Sequence, residues 1–251
     1  MTQTEILVRS TLDDSLQPSL FYRSASREKR PLLVGLHTWS RDRFNQIENM
    51  LPYAEKLDFH LLLPEFRGPN LTGNPRCTQA CASDYALQDV KDAIDSVRTL
   101  DNVDADNVFL LGHSGGGHMA LMTASRWPEL FKAVGTYVPI TDLARWAEEN
   151  PNYRPHVLAC CSDSPEEMAQ RSPIHHLESI SKANLKLFHG KYDPVVPVSH
   201  SINFFNRMIA EYPSARVFLD VFDGGHQLDM DQAMYWLLSQ YKPTALTQVT
   251  G

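Results

Sequence analysis

The sequence predicts an α/β fold with a mostly parallel central sheet and helices on both of its faces. Apolar runs of strand length alternate along the chain with segments of helical periodicity. This alternation implies crossover connections, which make neighbouring strands parallel. The 251 residues, 43% of them hydrophobic and 21% charged, have an ordinary globular composition, and we expect one domain over residues 1–251.

The predicted strands begin with a hairpin-like pair and continue as mainly apolar runs. Residues 31–37 and 59–66 are continuous enough to be buried on both faces of the sheet. The predicted strands cover residues 5–10, 19–24, 31–37, 59–66, 107–112, 131–139, 184–190 and 215–222.

Helical segments lie between these strands. Residues 83–100 place Leu87, Val90, Ile94 and Val97 at helical spacing, and Ser83 is a suitable N-cap. Residues 140–180 are punctuated by prolines, and we expect short helices there in a small irregular cap. The remaining predicted helices cover residues 53–58, 115 to about 128, 199–211 and 229–241.

Charge and hydropathy narrow the classes of partner. The net charge of −7 disfavours nucleic acid and anionic membranes, because both select clustered Lys and Arg. We find no apolar run of about 18 residues and no secretory leader, and therefore expect a cytoplasmic protein. A homo-oligomer stays open, because no sequence feature identifies an interface.

Four cysteines, Cys77, Cys81, Cys160 and Cys161, match neither a disulfide-rich mini-fold nor a zinc template. Buried or half-buried thiols are the favoured interpretation. One disulfide between the two pairs stays open, because the sequence does not determine their separation.

A candidate nucleophile lies in Gly112-His113-Ser114-Gly115-Gly116, which has the form G-x-S-x-G. A predicted strand precedes it and a predicted helix follows, as in the turn called a nucleophile elbow. Glycines two positions before and after the serine relieve crowding in so sharp a turn. Ser114 is then the predicted nucleophile, and the Gly115 N–H is a predicted oxyanion donor.

A serine nucleophile needs a general base, and the base needs an orienting carboxylate. This arrangement has the chain order Ser, Asp or Glu, His. Asp193 follows the predicted strand 184–190, and His226 follows the last predicted strand. Since the carboxyl ends of parallel strands meet at one edge of a sheet, we expect Ser114, Asp193 and His226 to form a catalytic triad.

Other acids and histidines of the sequence compete for these two roles. Asp223 ranks second as the orienting acid because it is very close to His226 in sequence, and Asp229 also competes. His175 and His176 lack accompanying ligands at metal-binding spacing, so we expect no metal. The other rival histidines are assigned packing or site-shaping roles: His37, His118 and His189.

The loop after strand 31–37 should supply the second oxyanion donor, from the backbone of Thr38 or Trp39. Trp39 is also expected to form a wall of the substrate site, or simply to pack at the sheet edge. Trp146 and Tyr153 are expected near the mouth of this site.

From about Pro31 onward the chain resembles the α/β-hydrolase superfamily. In particular, it resembles the catalytic domain of the prolyl oligopeptidase family, which includes dipeptidyl and acylaminoacyl peptidases and related esterases. The motifs that carry the resemblance are RGPNLTG, DVKDAIDSV, VFLLGHSGGGHMAL, VPITDL, RSPIHHL, LFHGKYDPVVP and GGHQLD. The resemblance implies the same triad. Thr38 departs from the H-G-G pattern common in the oxyanion loop.

These features predict a serine carboxylesterase that acts on short-chain or aryl esters without a cofactor. Esterases are favoured over peptidases because only some thirty residues precede the first buried strand, and no glutamate pair for a peptide amino terminus is recognised. Two alternatives remain open. They are a peptidase or amidase acting on short peptides, and a hydrolase-shaped binding protein without turnover.

Overall fold

A computed structural model describes residues 1–241, which form an eight-stranded sheet flanked by helices. The strand order is β1-β2-β4-β3-β5-β6-β7-β8. Strand β2 runs antiparallel to both of its neighbours, and all pairs from β4 through β8 are parallel. The strands are β1 (Thr2–Arg9), β2 (Leu16–Arg23), β3 (Arg30–Leu36), β4 (His60–Pro64), β5 (Val103–His113), β6 (Ala133–Tyr137), β7 (Leu185–Gly190) and β8 (Val217–Phe222).

Helices cover both faces of the sheet, as the sequence predicts. Apolar side chains lie on both faces of the sheet, so each face has its own hydrophobic core. In strand β5, Val108 and Leu110 belong to one core, and Phe109 and Leu111 belong to the other. The first core includes residues of α2 (Asp84–Arg98), α3 (Gly115–Arg126) and α8 (Ser199–Glu211). The second includes residues of α1 (Ile47–Leu57) and α9 (Met230–Gln240).

Several element boundaries differ from the sequence prediction. Helix α1 begins at Ile47, six residues before the predicted start, with Pro52 inside it. Strand β5 begins at Val103, which pairs with Arg30, and residues 104–107 form an irregularity before Val108 pairs with Leu32. Strand β6 is shorter than predicted at both ends. The Ser83 cap is confirmed, since its hydroxyl accepts from the Ala86 N–H at 3.3 Å.

Residues 140–180 form a cap of short helices beside the carboxyl edge of the sheet. Its apolar side chains pack with Trp39, Cys81 and Val196, which belong to loops of the main sheet. The cap contains α4 (Leu143–Glu149), α5 (Arg154–Cys160), α6 (Pro165–Gln170), α7 (Leu177–Ile180) and a 3-10 turn, Pro173–His175.

Across residues 1–241, no helix combines the length and the apolar character that crossing a bilayer would require.

Candidate active site

Ser114 lies on the sharp turn that joins β5 to α3. Its backbone is left-handed, with φ 58° and ψ −120°, a strained conformation for a residue with a side chain. A Cβ on Gly112 would lie 2.0 Å from the Gly116 carbonyl oxygen, and one on Gly116 would lie 2.4 Å from the Leu36 oxygen. Both positions therefore require glycine, and the turn holds the serine at the carboxyl edge of the sheet.

The structure brings Ser114, His226 and Asp193 together in one hydrogen-bonded chain. The Ser114 Oγ lies 2.9 Å from His226 Nε2, and His226 Nδ1 lies 2.7 Å from Asp193 Oδ2. Because an ionised carboxylate only accepts, Nδ1 carries the imidazole proton and Nε2 is free to accept from the serine. This tautomer is the one that general-base activation of Ser114 requires.

Both oxygens of the Asp193 carboxylate accept hydrogen bonds. Its Oδ1 accepts from the backbone N–H groups of Val195 at 2.8 Å and Val196 at 2.9 Å. Burial alone would raise the pKa of Asp193, but hydrogen bonds from His226 and the Val196 N–H outweigh it and hold that pKa below its ordinary value. Asp193 therefore stays ionised and fixed in orientation beside His226.

The competing acids lie elsewhere. Asp223 and Asp229 are both exposed, and Asp229 caps α9 by accepting from the Gln232 N–H at 3.0 Å.

The rival histidines are engaged in packing or in local hydrogen bonds. His189 contacts the Ser201 hydroxyl at 2.7 Å and the Val196 oxygen at 2.8 Å. His118 Nε2 lies 2.6 Å from the Arg171 oxygen, and the His37 ring stacks on Phe66. His175 is exposed, and within residues 1–241 no group of His, Cys, Asp or Glu side chains is arranged to hold a metal ion.

The two candidates for the second oxyanion donor differ in what their N–H groups already do. The Thr38 N–H donates to Asn45 Oδ1 at 3.1 Å, so it is not directed at the site. The Trp39 backbone nitrogen lies 2.5 Å from where a Gly115 Cβ would be, so the Trp39 and Gly115 peptides approach closely beside Ser114. This contact favours the N–H groups of Gly115 and Trp39 as the donor pair.

The ring of His113 lies against the catalytic base. Its centroid is 5.1 Å from that of His226, and its Nε2 is buried without a partner among the described residues. Burial, aided by the charge that His226 can carry, lowers the pKa of His113 to about 4. His113 is therefore neutral near pH 7 and adds no positive charge that would oppose protonation of His226.

Trp39, Trp146 and Tyr153 form one aromatic cluster, but they do not line an open wall. The ring centroids of Trp146 lie 4.8 Å from those of both Trp39 and Tyr153. Trp39 and Trp146 are only 2% and 1% exposed. Trp146 Nε1 also donates to the Val195 oxygen at 2.9 Å. The two tryptophans join the cap to the Asp193 loop, which agrees with the packing role that was the alternative for Trp39, while Tyr153 is half-buried. Contact of these three residues with substrate stays a prediction.

Sequence reasoning missed several groups that support the site. The N–H groups of Val195 and Val196 orient Asp193, and the short DPVVP turn after a strand end was the available signal. Asn70 also supports the site, and no sequence pattern marks it. Its N–H donates to the Trp39 oxygen at 2.8 Å, and so holds the peptide that follows the proposed oxyanion donor.

Comparisons with solved structures show the α/β-hydrolase fold. An acylaminoacyl peptidase in complex with Z-Gly-Gly-Phe-chloromethyl ketone superposes with a TM-score of 0.76 at 19% identity, covering 94% of this chain and 40% of that one. Acetyl xylan esterase 1 from Thermoanaerobacterium sp. superposes with a TM-score of 0.70 at 17% identity, covering 96% of this chain and 89% of the esterase.

Sequence relatives include acylamino-acid-releasing enzymes and an uncharacterized peptidase. The human acylamino-acid-releasing enzyme is 26% identical over 178 residues, which are 65% of this chain but only 24% of that enzyme. The uncharacterized peptidase YtmA of Bacillus subtilis is 28% identical over 125 residues, 47% of this chain and 48% of YtmA. The chain thus spans between a quarter and a half of the length of these relatives.

A sequence model of the prolyl oligopeptidase family matches residues 45–242, well over half of the chain, and the match includes Ser114, Asp193 and His226. This protein belongs to the prolyl oligopeptidase family.

Proposed function

We propose that this protein is a serine hydrolase that cleaves carboxylic acyl bonds through an acyl-enzyme intermediate. The observation that carries this proposal is the hydrogen-bonded chain from Ser114 through His226 to Asp193, beside two close backbone N–H groups.

The geometry supports a two-step reaction. His226 Nε2 takes the Ser114 proton while Oγ attacks the substrate carbonyl, and Asp193 stabilises the imidazolium that forms. The N–H groups of Gly115 and Trp39 donate to the developing oxyanion. The protonated His226 then gives its proton to the leaving group, and a water activated by the same base releases the acid.

Short-chain or aryl esters are the substrate class predicted from the sequence. The match to an acetyl xylan esterase covers nearly the whole of both chains, which agrees with ester substrates. This match is evidence about the fold alone. Short peptides are the second candidate. The sequence relatives favour them, because the relatives are named as acylamino-acid-releasing enzymes and as an uncharacterized peptidase. The same triad serves both classes, since an ester differs mainly in having a better leaving group.

A matched panel of substrates tests both proposals. We expect wild-type protein to hydrolyse p-nitrophenyl acetate and to be labelled by a fluorophosphonate at Ser114. Ser114→Ala should abolish labelling and lower turnover by roughly 10⁴-fold or more. Ser96→Ala is the control, because this hydroxyl lies on α2 and bonds only the Ala93 oxygen.

The outcomes separate the candidates. Turnover of acyl-aminoacyl anilides at rates comparable to those of the matched esters would assign a peptidase, and turnover of esters alone would assign an esterase. Unchanged ester turnover in Ser114→Ala would contradict the proposed nucleophile. Stoichiometric labelling of wild type without any turnover would instead indicate a binding protein.

A further inference from the structure

Four cysteines from two distant parts of the chain meet between the cap and the loop after β4. Cys77 begins the 3-10 turn Cys77–Gln79, and Cys81 follows that turn. Cys160 is the last residue of α5, and Cys161 is its C-cap. The turn and α5 are in direct contact, and the Cys77 thiol donates to the Ala159 oxygen at 3.8 Å.

The thiols contact one another in a defined pattern. Cys77 interacts with Cys160, and Cys81 interacts with both Cys160 and Cys161. No disulfide is present among them. Cys81, Cys160 and Cys161 are buried, whereas Cys77 is half-buried. These contacts contain only one set of pairs that uses all four thiols, namely Cys77 with Cys160 and Cys81 with Cys161.

The surroundings affect the thiols of the cluster differently. The hydrogen bond from Cys81, together with the nearby Arg171 guanidinium, lowers the pKa of Cys161, whereas burial raises the pKa of Cys77 and the contacts with Cys160 and Cys161 raise that of Cys81. A cleft of about 370 Å³ lies beside the cluster, and Thr78, Ala82 and Arg171 are among its lining residues. Thr78 and Ala82 directly follow Cys77 and Cys81 in the sequence. Cys81 itself has a left-handed backbone with φ 49°, held by a hydrogen bond from its N–H to Asn70 Oδ1 at 2.7 Å.

We propose that this cluster is a site of reversible thiol oxidation, at which Cys77–Cys160 and Cys81–Cys161 disulfides join the cap to the loop after β4. The site is separate from the triad, and the proposal does not depend on the substrate of the enzyme.

The chemistry needs an oxidant, and a peroxide is the class we name. The half-buried Cys77 thiol loses its proton as its sulfur attacks one peroxide oxygen, which gives a sulfenic acid and one water. The Cys160 thiol then displaces a second water as the Cys77–Cys160 bond forms. Two thiols thus lose two electrons, and one peroxide is reduced to two waters.

Contacts between the thiols allow the buried pair to be oxidised without direct access to the peroxide. The Cys81 sulfur loses its proton and attacks the Cys160 sulfur of the first disulfide, and the departing Cys77 sulfur takes up a proton to become a thiol. The Cys161 thiolate then attacks the Cys81 sulfur and releases the Cys160 thiol. The disulfide has moved to Cys81–Cys161 with no net change in electrons, and Cys77 and Cys160 can react with a second peroxide.

Oxidation should stabilise the cap and affect the site. Each disulfide would close a loop of about eighty residues, so we expect the melting temperature to rise by roughly 5 °C or more. Cys81 donates to the Asn70 side chain, and Asn70 donates to Trp39, so a bond at Cys81 adds a constraint two contacts away from the proposed oxyanion donor.

Thiol counting in the whole protein tests the proposal. Reduced wild type should lose all four thiols on treatment with hydrogen peroxide, lose four hydrogen atoms in intact mass, remain monomeric in non-reducing gels, and recover its thiols with dithiothreitol. Retention of free thiols, conversion to sulfinic acids, or cross-linking between chains in place of internal bonds would overturn the proposal. This measurement needs no variant and so does not depend on how a variant folds.

Two double variants test the pairing. Cys81→Ser/Cys161→Ser keeps Cys77 and Cys160, which are in contact, and should form an internal disulfide. Cys81→Ser/Cys160→Ser keeps Cys77 and Cys161 and should form it at least about tenfold more slowly. Equal rates of closure in the two variants, each with a wild-type circular dichroism spectrum, would refute the assigned pairs.

Discussion

Replacing Asp193 with asparagine should remove most of the activity while leaving the site nearly isosteric. The Asp193 Oδ1 accepts two backbone N–H groups, whereas Oδ2 accepts from His226 Nδ1 and lies 3.6 Å from His189 Nε2. An asparagine will therefore turn its oxygen towards Val195 and Val196, because the reverse orientation leaves two buried donors unpaired at about 1–3 kcal/mol each. Its NH₂ group then faces His226.

That orientation reverses the imidazole tautomer. Nδ1 must accept from the new amide, so the proton moves to Nε2, 2.9 Å from the Ser114 hydroxyl. The base can no longer take the serine proton, and the loss expected from such a tautomer change is about 10⁴-fold in kcat, or about 5 kcal/mol in the barrier.

The assay is steady-state hydrolysis of p-nitrophenyl acetate near pH 7, with the rate of fluorophosphonate labelling as a second measure of serine reactivity. Asp223→Asn is the matched control, because this exposed carboxylate lies three positions before His226 and should change neither measure. A kcat for Asp193→Asn within about tenfold of wild type would refute the reasoning. So would a large loss in the control, which would identify Asp223 as the orienting acid.

Two further predictions concern the oxyanion site and acid stability. Gly115→Ala places a Cβ 2.5 Å from the Trp39 nitrogen and should displace that peptide, which would lower kcat by roughly 10²–10³-fold. Gly73→Ala is the control, because a Cβ there would have no atom within 4 Å. Equal kinetics for the two variants would contradict the assignment of the oxyanion donors. Burial lowers the pKa of both His113 and His118 to about 4, so between about pH 6.5 and 4 these groups take up protons only in the unfolded chain. The urea concentration at the unfolding midpoint should therefore decrease as the pH falls from about 6.5 towards 4. A midpoint that does not change with pH over that range would contradict this prediction.

Much of the fold follows from local sequence patterns. Apolar runs such as residues 31–37 had to be buried on both faces, and their alternation with helices left few alternatives to a parallel sheet. The predictions that failed were those in which local and global preferences disagree. Pro52 lies inside α1 although proline is unfavourable in a helix, because the amphipathic face of the helix packs on the sheet.

The candidate triad could be read from the sequence because its geometry depends on chain order and strand ends. The support around it could not be read in this way. Thr38 and Trp39 are adjacent, and only the approach of Asn45 shows which N–H is already bonded. Trp146 looked like a residue of the site mouth, but the packing of the cap encloses its ring.

The order of apolar and polar residues by itself determined the parallel sheet, the serine turn with its glycines, and the loops that supply the acid and the base, because these depend on contacts within one element or between neighbouring ones. Only the tertiary structure decided that the Thr38 N–H is already bonded, that the tryptophans pack against the cap, and that four cysteines meet. Those features depend on distances between segments tens of residues apart, such as Cys81 and Cys161, and the separation of such segments is set by the packing of the whole chain.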